Sequence, residues 1–470
     1  MTSPTFEMTD RIRDSHRDLS AASLGFLELA HEHPECLDPS SFSHLVENLD
    51  DFSKWEKIRL QPWPTFVRAS KLAELDRAAQ GVCELVKTIP ERVFDCDPER
   101  LARFYRMQPD HARLATVFWR KKDWLRGLFA RPDFIYTDSG FKCLETNLVA
   151  NLGGWESTYW AQLYLEVPVI ARFLQESGVE PRYTWVMRRV MAHLLKESLG
   201  RFRQNEVNLV FAMPEVVPML ERFLEISREH FDDLIEKLGL KGTVRLAEVE
   251  ELEERRGVLY VDGVQVHAVV ERFSGPSSDK IYRAWTRGNL LLYNGPFTQV
   301  LTDKRNLAVL SELQDAEIFA PEERETIRSA VPWSRRVADD KVHPAAVSPP
   351  SKAELIAERE RLVLKPGMGL AGQEISVGAR TPEGEWREAV DRAFEEGGWI
   401  VQERLASPPY LYLDPLDWKP RRHELIWAPF VLGQGGGGWL LRMGPVREEG
   451  SGVVNVSQGA STCMVFEVDQ

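Results

Sequence analysis

The sequence predicts a mixed α/β (α+β) protein with a helical N-terminal region, and three observations carry this. Residues 1–125 place apolar and aromatic side chains at helical spacing. Residues 208–246 alternate a short apolar strand, a helix and a second strand, as in a parallel βαβ unit. Residues 361–405 read as strand, glycine-rich loop, strand, helix and strand. The chain has 470 residues, too many for one ordinary core, so two or three domains are expected. The pattern divides it into a mostly helical part (1–125), a mixed part (126–340) and a part around the glycine-rich loop (341–470).

Composition excludes several classes. The hydrophobic share is 43% and the charged share 28%, values of a soluble globular protein. A net charge of −13 argues against a general binder of nucleic-acid backbones. Cys36, Cys83, Cys96, Cys143 and Cys463 show no zinc-type spacing and read as reduced thiols. The polar start lacks an apolar signal core, and no apolar run is long enough to span a membrane. A cytoplasmic protein is expected.

Taken in order, a helix is expected around Leu19 to Leu29, before His33-Pro34. A second covers Lys71 to Ile89 and ends at Pro90, a third starts at Leu101, and a fourth covers His111 to Leu128. Phe118, Trp119, Trp124 and Leu125 recur at helical spacing and read as core packing.

Residues 131–155 carry the first chemistry. A strand from Asp133, a tight turn at Asp138-Ser139-Gly140 and a strand from Phe141 to Thr146 form a hairpin. Glu145 and Asn147 are two apart and share a face, with Asp133 near them across the turn. Two carboxylates and an amide oxygen suit magnesium beside phosphates. Arg131 shares the face of Asp133 and suits stabilisation of charge forming there. A solvated hairpin with a structural ion pair would show the same residues.

Helices are expected over Glu156 to Gln175, Arg182 to Phe202 and Pro218 to Phe231, with strands at Asn208 to Met213 and Thr243 to Leu246. A hairpin follows, Val258 to Val261 and Val264 to Glu271, turning at Asp262-Gly263. Arg272 ends its second strand and could meet a carboxylate or phosphate. After a strand at Leu290 to Tyr293, Gln299 to Leu310 reads as a helix carrying Asp303-Lys304. A cation at a helix start is disfavoured, so Lys304 points to an anion nearby. Residues 320–352 read as loop with one short helix.

The strand Leu362 to Leu364 delivers Lys365 to a loop with Gly367, Gly369 and Gly372. Glycines let backbone N–H groups approach phosphates, and lysine adds a charge on a long arm. A strand Glu374 to Val377 returns, a helix covers Trp386 to Phe394, and the strand from Trp399 ends in Gln402-Glu403, placed to pair with a base edge. A plain hairpin uses similar glycines, but the complete order is more specific. Beyond it, a strand His423 to Leu432, a mobile turn Gly435 to Gly438 and a strand Trp439 to Met443 with Arg442 are expected. Asn455 and Ser457 then share one face.

On these residues the chain resembles the circularly permuted ATP-grasp ligases, most closely the branch of glutathionylspermidine synthase and related carboxylate–amine ligases. The resemblance covers roughly residues 129–460. Arg131-x-Asp133 and Glu145-x-Asn147 precede the lysines and the VQE segment, which is the permuted order. The resemblance implies that Asp133, Glu145 and Asn147 hold two Mg2+ ions. It implies that Lys304, Lys365, the glycine loop and Arg442 bind ATP phosphates, and that Gln402 and Glu403 meet adenine. Arg131, with Arg272, would act on the acyl phosphate and tetrahedral intermediate. The amidase domain of the bifunctional relatives is absent, and VVERF at 269–273 stands where the family has an LYPWE-like stretch. Glutathione and polyamine specificity is therefore not carried over.

The expected activity is ATP-dependent activation of a carboxylate and its joining to an amine or thiol. Expected partners are small-molecule carboxylate and amine substrates, with a homodimer left open. The alternatives are a phosphotransferase that stops at phosphorylation and a nucleotide-binding regulatory or scaffold protein with an inactive site.

Overall fold

A computed structural model describes residues 8–33, 38–49, 53–54, 58–120, 127–202, 205–272, 278–295, 298–338, 341–369, 374–446, 454 and 459–469. Cys36, Glu56, Trp124, Leu125, Phe273, Gly372, Asn455 and Ser457 lie outside the described residues, as does the side chain of Phe118.

The apolar run at Asn208 forms the strand Glu206–Met213. It pairs in parallel with Lys241–Glu248 on one side and Ala268–Glu271 on the other, and Leu291–Tyr293 completes a four-stranded parallel sheet. The crossover helix runs over Glu221–Leu238, later and longer than expected, and stops where Gly239 turns left-handed at φ 65°. The hairpin expected from Val258 to Glu271 is split. Only Val258–Val261 and Val264–Gln265 pair as a hairpin, while Ala268–Glu271 enters the parallel sheet. Ala268, Val269 and Val270 are apolar on consecutive positions, so both faces need cover, and a hairpin supplies one. A two-way clasp fixes the switch: His267 N–H donates to Asn208 O (2.9 Å) and Asn208 N–H to His267 Nδ1 (2.9 Å).

Two antiparallel sheets make the rest of the framework. The larger joins Ser461–Cys463, Gly435–Pro445, Pro420–Leu432, Asp133–Thr137 and Gly140–Glu145, in that order. The glycines 435–438 are not a mobile turn but the start of a strand, the turn lying at Gly433-Gln434. A Cβ on Gly436 would lie 2.9 Å from Asp76 Oδ2, and one on Gly437 2.9 Å from Leu432 Cδ1. The glycines are there for close packing.

The smaller sheet orders Ser334–Val337, Trp399–Glu403, Leu362–Pro366 and Ser376–Val377. Helix Glu383–Glu396 covers it through buried Trp386, whose Nε1–H donates to Leu355 O at 3.0 Å. Residues 320–352 hold the expected short helix, Pro321–Ala330, and also a buried strand, Ser334–Val337, that the sequence did not show. Two arginines hid that strand. Arg336 is buried because Glu312 meets it at 2.8 Å, both side chains being almost fully enclosed.

The N-terminal region is helical but also supplies strand Thr65–Arg68, which pairs in parallel with Val465–Val468. One hydrophobic core runs from Ile12 to Val468. Helix Ala69–Arg92 continues past Pro90, which falls in its last turn. The helix expected over 156–175 breaks at Val167, giving Thr158–Leu165 and Pro168–Ser177 with Pro168 at the first position. The next helix starts at Val186 rather than Arg182, which pairs with Glu467 at 2.8 Å.

His16 ties this region to the large sheet. Its Nε2 accepts the Leu411 N–H (3.1 Å), so Nδ1 carries the proton toward Ser23 Oγ (2.9 Å). Burial pushes its pKa from 6.5 down to about 3. The unfolded chain therefore takes up a proton before the folded one, and stability present above pH 6.5 is lost as pH falls toward about 3. This residue is expected to contribute a slope of about 1.4 kcal/mol per pH unit in that window. Denaturant unfolding at several pH values should show that slope, and His16→Gln should flatten it.

Candidate active site

The hairpin that starts at Asp133 sets its end residues face to face. Asp133 pairs with Glu145 across the ladder, beside a register shift at Asp133/Phe134. The strand stops at Glu145, so Asn147 does not share a strand face with it as expected. Its amide turns back and donates to Glu145 Oε1 and Arg131 O, both at 3.3 Å. The three predicted metal ligands thus sit together by a loop contact rather than by strand alternation.

Three cations converge on them. Arg442, on the long hairpin strand, forms a buried ion pair with Asp133. Lys304 begins helix Arg305–Glu312 and reaches Glu145 Oε2 at 3.3 Å. The anion that its position called for is this carboxylate. Lys365 leaves the small sheet and donates to Gln402 Oε1 at 2.7 Å and to Leu144 O of the large sheet at 3.4 Å.

Burial and charge divide the carboxylates. Burial pushes Asp133 up to about 6, with Arg442 opposing and Glu145 adding to the rise. Burial would raise Glu145 too, but Lys304, the hydrogen bond with Asp133, Lys365 and Arg442 together hold it down to about 2. The two therefore titrate as a pair in which Glu145 keeps the charge. Burial also pushes Lys365 down to about 8, against the charge of Glu145. Asp133 Oδ1 is buried with no hydrogen-bond partner among the described residues, which suits a cation donor site. Among those residues no group of three His, Cys, Asp or Glu is set to hold a metal, and a third ligand would have to come from Asn147.

Asp133, Glu145, Lys365, Gln402 and Arg442 line a cleft of about 140 Å³ between the small and large sheets. Val363 and Val377 of the small sheet and Ile135 and Ile426 of the large sheet line it too, with Leu405, Arg380, Arg404 and Glu424. These last three were missed in the sequence. Glu424 is two residues from Ile426 on one strand, so alternation would have found it.

The remaining expected residues have partners within the protein. The Gln402 side chain is buried, and its Nε2–H donates to Ser334 Oγ at 3.1 Å. The Glu403 carboxylate accepts the Trp333 N–H at 2.8 Å. Both side chains are engaged because the strand Ser334–Val337, unseen in the sequence, lies beside them. Gly367 is required by packing, since a Cβ there would lie 2.7 Å from Gly398 O. Gly369 O accepts from Lys304 Nζ at 3.1 Å. Arg131 precedes the hairpin strand instead of sharing its face, and its guanidinium bonds Gly153 O. Arg272, at the C-terminal edge of the parallel sheet, bonds Ala150 O at 3.3 Å and Leu152 O, and stacks over Trp155 at 4.8 Å. Both arginines thus hold the segment 150–153, beside the acidic pair.

A glutathione synthetase-like effector from Globodera pallida, in its apo form, aligns over 87% of this chain and 90% of its own, with a TM-score of 0.54 and 12% identity. The fold is glutathione synthetase-like. A candidate gamma-glutamylcysteine synthetase from Methylobacillus flagellatus aligns over 78% of this chain and 86% of its own at 11% identity, but its TM-score of 0.39 is too low to support an argument. No protein-family model and no curated protein matches the chain.

Within this glutathione synthetase-like fold the charges are not equivalent. Removing one partner of a buried pair costs about 3–5 kcal/mol. Arg442→Met, which strips Asp133 of its partner, is expected to lose that much stability. Lys365→Met should lose clearly less, because relief of a buried charge offsets the lost hydrogen bond. Guanidinium unfolding of both variants checks this, and equal losses would contradict it.

Proposed function

We propose that the chain is an ATP-dependent, ADP-forming ligase that activates a substrate carboxylate as an acyl phosphate and joins it to an amine. The observation that carries this reading is the charge cluster at the cleft. Lys365 and Arg442 line it with Asp133 and Glu145, and Lys304 reaches Glu145, giving a cluster of three buried cations and two carboxylates between two sheets. Such a cluster favours a phosphate chain, and the apolar residues Val363, Val377, Ile135 and Ile426 that line the cleft favour a base.

In this reading Asp133, Glu145 and Asn147 hold Mg2+, whose bound charge offsets that of the transferring phosphoryl group. Lys304, Lys365 and Arg442 bind the phosphates. Because the Gln402 and Glu403 side chains are engaged within the sheet, and the Glu403 and Arg404 N–H groups donate to Trp333 O (2.9 Å) and Arg361 O (2.7 Å), adenine meets the backbone at Leu405. The acidic hairpin preceding the lysines and hinge in sequence supports the permuted ATP-grasp order.

The chemistry assigned to the chain is positioning and charge stabilisation. A carboxylate oxygen attacks the terminal phosphorus of ATP, and ADP leaves. The amine then attacks the acyl carbon, phosphate leaves, and the amine proton passes to solvent or phosphate. No protein nucleophile is needed. Arg131, beside the acidic pair, stabilises the oxygens that gain charge in the tetrahedral intermediate, and Arg272 serves the acceptor side.

Positional isotope exchange in ATP with candidate acids reports acyl-phosphate formation without the amine. Acid-dependent exchange, followed by amide formation and ADP release with amines, is the expected result. ATP turnover that ends in a stable phosphorylated product would make the protein a phosphotransferase. Lys304→Met and Lys365→Met should each weaken a non-hydrolysable ATP analogue by about tenfold to a hundredfold in calorimetric titration. Arg131→Ala should lower kcat by about a hundredfold or more with little change in that affinity.

A further inference from the structure

Lys365 and Gln402 lie on neighbouring antiparallel strands. Lys365 stands opposite Ile400, so Gln402 is its diagonal neighbour, within reach of two long side chains. Both ends of the amide are used: Oε1 accepts from Lys365 Nζ at 2.7 Å, and Nε2–H donates to Ser334 Oγ at 3.1 Å. Ser334 is itself fixed, its N–H donating to Ser311 Oγ at 3.0 Å and its hydroxyl to Pro332 O at 3.1 Å. The network crosses the small sheet and ends at the lysine of the cleft.

The choice of an amide at this position has a physical reading. A carboxylate of the same size would accept from Lys365 too, but as an ion pair that cancels its charge in a buried site. It would also lack the N–H that Ser334 receives. A neutral amide fixes the ammonium and leaves its charge directed at a ligand. We infer that Gln402, anchored by Ser334, is a positioning residue that aims Lys365 at the phosphate chain without neutralising it. This rests on the nucleotide reading above, in which Gln402 itself touches no part of ATP.

The test titrates wild type, Gln402→Glu, Gln402→Leu and Ser334→Ala with inorganic tripolyphosphate and with a non-hydrolysable ATP analogue. Thermal melts of the free proteins run alongside. Gln402→Glu is expected to bind both ligands about tenfold to a hundredfold more weakly, with a melting temperature no lower than wild type. Gln402→Leu fills the space without the charge and should lose less. Ser334→Ala, which loosens the amide, should lose about threefold to tenfold. Wild-type affinity in Gln402→Glu or in Ser334→Ala overturns the inference. So does a loss in Gln402→Leu as large as in Gln402→Glu, since the amide would then only fill space. If wild type binds tripolyphosphate but not the ATP analogue, the nucleotide reading fails and the variants decide the inference on tripolyphosphate. If wild type binds neither, both fall.

Discussion

Three buried cations held against two carboxylates, at the place where two sheets meet, set the terms for the rest of the molecule. An isolated ammonium in such a place would lose its proton or stay in water. Here Glu145 holds Lys304, Asp133 holds Arg442, and Gln402 holds Lys365. Each partner sits on a different element, so the cluster also ties the elements together. Lys304 links a helix to the glycine loop through Gly369 O, and Lys365 links the small sheet to the large one through Leu144 O.

The framework around the cluster follows from the need to hold it rigidly. The small sheet is backed by Trp386, and its edge strand is secured by the enclosed Arg336–Glu312 pair. The helix that presents Lys304 at its start carries Glu312 at its end, so one element aims a cation at the cleft and locks the neighbouring sheet. The large sheet is backed by the N-terminal helices. Its first hairpin supplies the acidic pair, and its long hairpin supplies Arg442. The parallel sheet brings Arg272 to the segment 150–153 that Arg131 also holds.

Much of this was legible in the sequence where a local pattern carried it. The hairpin from Asp133, the Lys365 strand, the helix over Trp386 and the parallel pair at 206–248 each follow from alternation, helical period or turn residues. What was hidden depended on distant partners. Ser334–Val337 reads as loop because Arg335 and Arg336 look solvent-bound until Glu312 is seen beside them. The glycines 435–438 read as a mobile turn because nothing local shows the helix that packs on them. The bonds of the Gln402 side chain were hidden because its partners, Lys365 and Ser334, come from strands 37 and 68 positions away. Asn147 reached its expected place by a different route, a loop contact in place of strand alternation.

The central claim is that this charge cluster is a nucleotide phosphate site. The most direct measurement is a crystal structure with a non-hydrolysable ATP analogue and Mg2+. The account predicts the phosphate chain among Lys304, Lys365 and Arg442, a metal touching Asp133 and Glu145, and the base between Val363 and Ile426 beside Leu405. An analogue bound elsewhere, with no phosphate oxygen within reach of Lys304, Lys365 or Arg442, would contradict it.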